Sequence, residues 1–117
     1  MDLFRWLKDA RLGKQRPAVH IPDTPHTQPV RRRYRFSGAV QGVGFRFEAM
    51  MAAEQLHLTG WARNKSDGTV VVEIEGGASH IDEFLRYMQS VPRFRITDIE
   101  VKELPLSGTE TTFSAMY

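Results

Sequence analysis

Cysteine is absent from the 117 residues. That excludes structural disulfides, thiolate nucleophiles and Cys-ligated zinc or iron–sulfur centres, and it suits a reducing cytoplasm, which is the expected location. No apolar run approaches the roughly 20 residues of a membrane-spanning helix. Asp2, Arg5, Lys8 and Asp9 also interrupt any apolar stretch of a signal peptide, so neither export nor stable membrane insertion is expected. Charge of one sign is scarce too. Sixteen Lys and Arg against 14 Asp and Glu leave a formal charge of +2, which gives no global attraction for nucleic acid. The basic residues Arg31, Arg32, Arg33 and Arg35 do cluster, so local placement has to decide. His20, His26, His57 and His80 are dispersed without ligand spacing, and no metal site is expected from them.

What is present fits one globular domain with a single core and a tail. Met1 to Leu12 carries Leu3, Leu7 and Ala10 at helical spacing, but about 12 residues make a marginal helix in isolation. Pro17, Pro22, Pro25 and Pro29 mark an extended linker. The expected organisation is therefore a tail and proline-rich linker over residues 1–30 and a folded domain over 31–117. From Arg31 to Val40, Tyr34, Phe36, Gly38 and Val40 share one parity and Arg33, Arg35 and Ser37 the other, which predicts a half-buried strand with its arginines facing water. Phe45, Ala49, Ala52, Ala53 and Leu56 then share a helical face. Thr59 to Asn64 and Thr69 to Glu75, separated by Lys65-Ser66-Asp67-Gly68, predict a β-hairpin that Gly76-Gly77 ends. Ser79, with Asp82 three residues on, predicts the N-terminal cap of a second helix that turns Ile81, Phe84, Leu85 and Met88 inward and leaves at Pro92. Strands at Arg95 to Leu104 and Thr111 to Met116 complete the order β-α-β-β-α-β plus a closing strand. The economical α+β solution is a split βαβ sandwich, two helices on one face of an antiparallel sheet.

The chemistry points to Gly38-Ala39-Val40-Gln41-Gly42-Val43-Gly44-Phe45-Arg46, between the first strand and the first helix. Gly38, Gly42 and Gly44 permit positive φ and close approach of backbone N–H groups, and the helix start adds free amide donors: an anion cradle. Arg46 lies in the first helical turn, where a cation opposes the helix dipole unless an anion sits between them. No Lys-Ser or Lys-Thr follows the glycines, so this is not a Walker loop, and Gly42-Val43-Gly44 lacks the third glycine of a dinucleotide fingerprint. Amides and one guanidinium would have to recognise the phosphoryl group.

With those elements placed, the chain resembles the acylphosphatase family in three ordered blocks: Val40-Gln41-Gly42-Val43-Gly44-Phe45-Arg46, Gly60-Trp61-Ala62-Arg63-Asn64 and Asp67-Gly68-Thr69-Val70. The likeness extends from about Arg31 to a closing Phe113-Ser114-Ala115-Met116-Tyr117. It implies a ferredoxin-like fold and hydrolysis of acyl phosphates to carboxylate and inorganic phosphate, with no metal and no cofactor. Arg46 carries over as the phosphate-binding arginine, Asn64 as the residue orienting the attacking water, and the amides of Gln41, Gly42, Val43, Gly44, Phe45 and Arg46 as the cradle. The expected partners are a small acyl phosphate and product phosphate, without nucleic acid, in a monomer. Two departures stand out. His57 occupies a helix C-terminus where the family often has glycine, and Val91-Pro92 replaces a common Gly-Pro.

The residues suffice for that reaction. Phosphoryl transfer needs positioning and neutralisation of the equatorial oxygens, and a carboxylate leaving group, with a conjugate acid of pKa about 4–5, departs without a general acid. Asn64 cannot usefully take a proton but can align a water. Asp67 reads as a turn residue, and Trp61 as a core or loop-packing aromatic. The alternatives are a noncatalytic acyl-phosphate sensor, which keeps the cradle without turnover, and a nucleic-acid-binding module of the same element order. Against the latter, Tyr34 and Phe36 share the parity of the core, and the RNA-binding aromatic signature is missing.

Overall fold

Alternating apolar residues start the sheet at Pro29, and a computed structural model describes residues 28–117. The elements are β1 (Pro29–Ala39), α1 (Phe45–Gln55), β2 (Thr59–Asn64), β3 (Val70–Gly77), α2 (Ala78–Ser90), β4 (Arg95–Leu104) and β5 (Phe113–Met116). The tail expected before residue 28 lies outside the described residues. Strand order is β4-β1-β3-β2-β5. The first four strands pair antiparallel, whereas β5 joins β2 in parallel, setting Gly60 beside Phe113 and Arg63 beside Met116. This is the expected ferredoxin-like α+β sandwich, its sheet made mixed by the closing strand.

One face of the sheet supplies Tyr34, Phe36, Ala62, Val72 and Ile74, and these pack against Ala49, Ala52 and Ala53 of α1 and Ile81, Phe84 and Met88 of α2 in one core cluster. The alanines let α1 approach the sheet closely. The helix ends in the full Schellman pattern, with Leu58 N–H on Ala53 O at 2.8 Å and His57 N–H on Glu54 O at 3.2 Å. His57 takes the left-handed position itself, at φ 57°.

Four expectations are corrected. Arg31 does not face water: it is 5% exposed, and its guanidinium bonds Glu73, Glu75 and Glu110 on the outer face of the sheet. Alternation gave its face correctly, but the segment before β5 covers that end of the sheet, and Glu75 ties it down by accepting the amides of Ser107 and Gly108. Arg33 and Arg35 are about half exposed, each beside a carboxylate, Glu73 and Asp67 respectively. Second, α2 starts at Ala78 with Gly77 in the cap position and no side-chain cap, so Ser79 is already in the first turn. β3 continues through Gly76-Gly77 straight into the helix, and Gln28 O accepts the Ala78 N–H at 3.3 Å, a backbone partner that local sequence cannot announce. Third, Gly38 belongs to β1 rather than the cradle. It sits at a register shift against β4, where a Cβ would lie 2.0 Å from the Arg95 carbonyl oxygen. Fourth, Trp61 is on the outer face, opposite Glu73, with the Arg63 guanidinium 5.7 Å from its ring.

Candidate active site

Between β1 and α1 the chain turns through Gly42 at φ 75° and Gly44 at φ 81°. Gly44 caps α1 in left-handed conformation with no side-chain hydrogen bond to the first-turn amides, which leaves donors for a ligand. Glu48 N–H closes the first helical bond onto Gly44 O at 3.0 Å. Val40, Gly42, Gly44, Phe45, Arg46 and Asn64 line one concavity of about 360 Å³, rimmed by Phe47, Met50, Ala115 and Tyr117. That lining contains no carboxylate side chain, so its field favours an anion.

Each proposed group is held by a different part of the fold. Arg46, on the first turn of α1, donates to the Met116 carbonyl of β5 and lies 4.9 Å from the Tyr117 ring centroid. The parallel closing strand thus orients the guanidinium without neutralising it, and among the described residues no carboxylate bonds it. Asn64 ends β2 opposite Val70. Gln41, expected only as a backbone donor, uses its side chain to fix this geometry: Nε2 donates to Lys65 O at 2.8 Å and Thr69 O at 2.9 Å. The cradle is therefore tied to the hairpin turn that follows Asn64. Asp67 acts in the turn as expected, accepting the Thr69 hydroxyl at 2.6 Å and the Thr69 amide at 3.0 Å. Those two bonds hold its carboxyl below the usual range. Of the histidines, His57 closes α1 and His80 lies in α2, while His20 and His26 fall outside the described residues.

Several contributors escape sequence reasoning. Behind the cradle, Arg93 Nε donates to Val43 O at 2.7 Å and its Nη2 to Glu48 Oε1 at 3.1 Å. Tyr87 donates its hydroxyl to Glu48 Oε2 at 2.9 Å. Glu48 is 1% exposed. Its position on the inward face of α1, next to Ala49, was a visible signal, since a carboxylate among buried alanines must find partners. Nothing local identifies Arg93 as one of them.

A glycine loop at a helix start, an arginine that no carboxylate among the described residues bonds and an amide side chain meet in one concavity of an α+β protein. The comparisons narrow the class. The sequence model of the acylphosphatase family matches residues 32–115. An acylphosphatase of Arthrobacter sp. is 42% identical over 92 residues, 77% of this chain and 84% of that one. One of Oceanobacillus iheyensis is 42% identical over 82 residues, 68% of this chain and 90% of that one. The crystal structure of an acylphosphatase from Bacillus subtilis superposes with TM-score 0.70 at 34% identity, covering 75% of this chain and 99% of that one. This chain belongs to the acylphosphatase family. Among its described residues, no helix is long and apolar enough to cross a membrane.

Proposed function

We propose that the protein hydrolyses acyl phosphates to carboxylate and inorganic phosphate, with Arg46 and the amides of Gln41 to Arg46 holding the phosphoryl group and Asn64 orienting water. The observation carrying this reading is that Gly42, Gly44, Arg46 and Asn64 line one concavity although the β1–α1 loop, α1 and β2 contribute them separately. A phosphoryl group seated over the α1 N-terminus would meet amide donors from the loop and a guanidinium from the side. Its charge also resolves the conflict between Arg46 and the helix dipole. Water bonds to phosphorus as the bond from phosphorus to the acyl oxygen breaks. The bonding pair leaves with the carboxylate, and the surplus proton passes to solvent. Because the leaving carboxylate is weakly basic, no acid need be aimed at it, and the burden falls on alignment by Asn64 and charge stabilisation by Arg46 and the amides.

The test is release of phosphate from benzoyl phosphate without added metal, with inorganic phosphate as inhibitor. Turnover with competitive inhibition is expected, since substrate and product share the group the cradle binds. Phosphate binding without turnover would favour the acyl-phosphate sensor instead. A nucleic-acid role is not part of the proposal. Trp61 does stand on the outer face, but Arg33 and Arg35 beside it are engaged with Glu73 and Asp67.

A further inference from the structure

The cradle is supported from behind. Val43 O, the acceptor of Arg93 Nε, belongs to a planar trans peptide, so the N–H of Gly44 points the opposite way, away from Arg93, and Gly44 itself lines the concavity. That peptide needs a hold. Gly44 has no side chain and tolerates either sign of φ, so the group between Val43 and Gly44 can rotate at little cost, turning a carbonyl instead of an amide toward the ligand. Arg93 itself has two further contacts. Its Nη2 reaches buried Glu48, its guanidinium lies 5.0 Å from the Phe94 ring, and Phe94 packs 4.8 Å from Phe45, the first residue of α1. A Cβ on Gly44 would come within 3.2 Å of Nη2, so loop and guanidinium are already in contact.

We propose that Arg93 is a positioning residue of the phosphate cradle: by holding Val43 O it keeps the Gly44 N–H aimed at the phosphoryl group, while Glu48, itself bonded by Tyr87, holds Arg93. The inference rests on the cradle assignment above. It gives the connection between α2 and β4, which supplies no lining to the concavity, control over a donor that must be oriented before substrate arrives. The competing role is neutralisation of Glu48 alone, and the two roles predict different behaviour.

Inorganic phosphate is titrated into the full chain while the Gly44 amide resonance, the inhibition constant and the unfolding midpoint are followed. Arg93→Ala should weaken phosphate binding about tenfold, lower kcat/KM by at least about tenfold and shrink the phosphate-induced shift of the Gly44 amide. Arg93→Lys should recover part of this, because one ammonium cannot hold Val43 O and Glu48 with a fork's geometry. The double variant Glu48→Gln with Arg93→Ala removes the buried charge together with its partner, so it should regain the unfolding midpoint yet still bind phosphate weakly. Parental phosphate affinity and a parental Gly44 shift in that double variant would overturn the proposal and leave Arg93 as the counter-ion of Glu48. Unaltered phosphate binding in Arg46→Lys would instead remove the cradle assignment, and this inference with it.

Discussion

Replacing Arg31 by Met tests how far the outer face of the sheet, rather than the core, sets stability. Arg31 is 5% exposed and its guanidinium meets three carboxylates, Glu73 at 2.8 Å, Glu75 at 3.1 Å and Glu110 at 2.7 Å. Losing one member of a buried charge pair commonly costs about 3–5 kcal/mol, because the other charge is stranded. Here the loss is smaller: Glu73 keeps Arg33, Glu75 keeps the Ser107 and Gly108 amides, and Glu110 can rehydrate. About 2–3 kcal/mol is expected, a fall in Tm of roughly 10–20 °C for a domain of this size. The pH dependence adds a signature. Burial raises the pKa of Glu73, but bonds from Arg33 and Arg31 outweigh it and hold the folded value below 4.5. For Glu75, burial is likewise outweighed by the Ser107 amide and Arg31. A depressed folded value stabilises above the unfolded pKa and is lost as pH falls through the folded one, so the gap between parent and variant should be widest near neutrality and narrow as pH falls below 4.5 through the depressed folded values. Thermal unfolding from pH 7 to pH 3 reads both effects. A variant within about 2 °C of the parent at pH 7, or a gap that widens in acid, would refute the reasoning.

Three further outcomes follow from the same geometry. His57→Gly should raise stability by up to about 1 kcal/mol, since a side chain at φ 57° is strained and glycine fits the Schellman position; an unchanged or lowered urea midpoint would contradict it. Asn64→Ala should lose about 10²-fold or more in turnover, at least roughly 2.7 kcal/mol of transition-state stabilisation, with phosphate affinity little changed; normal turnover of the folded fraction would take Asn64 out of the mechanism. Removal of residues 1–27 should leave turnover per folded molecule unchanged, because every group invoked lies within the 31–117 unit proposed as catalytic, and a large loss of specific activity would locate a missing contributor before it.

Much of this protein is readable from its chain because the signals are local. Strand parity put Tyr34 and Phe36 in the core, the small-residue face of α1 was visible in Ala49, Ala52 and Ala53, and the loop, Arg46 and Asn64 stood out through ordered motifs. What was illegible depends on partners far away in sequence. Arg31 shares parity with half-exposed Arg33 and is buried only because Glu73, Glu75 and Glu110 converge on it, at separations of 42, 44 and 79 residues. The α2 N-terminus is met by Gln28 O rather than by a side-chain cap from Ser79, and the Val43 carbonyl is bonded by Arg93 from a loop 50 residues further on. Propensity and alternation describe a segment's preferences; they do not say which distant group covers it.

The central claim is that a bidentate guanidinium at position 46, with the loop amides, binds and stabilises the transferred phosphoryl group. Arg46→Lys keeps the charge and the helix while removing the fork. Benzoyl phosphate hydrolysis and phosphate inhibition, measured on the same preparation with its unfolding midpoint, should show turnover reduced by about 10²-fold or more and phosphate binding weakened, in a protein that still unfolds near the parental temperature. Near-parental turnover and phosphate affinity in the folded variant would contradict the account.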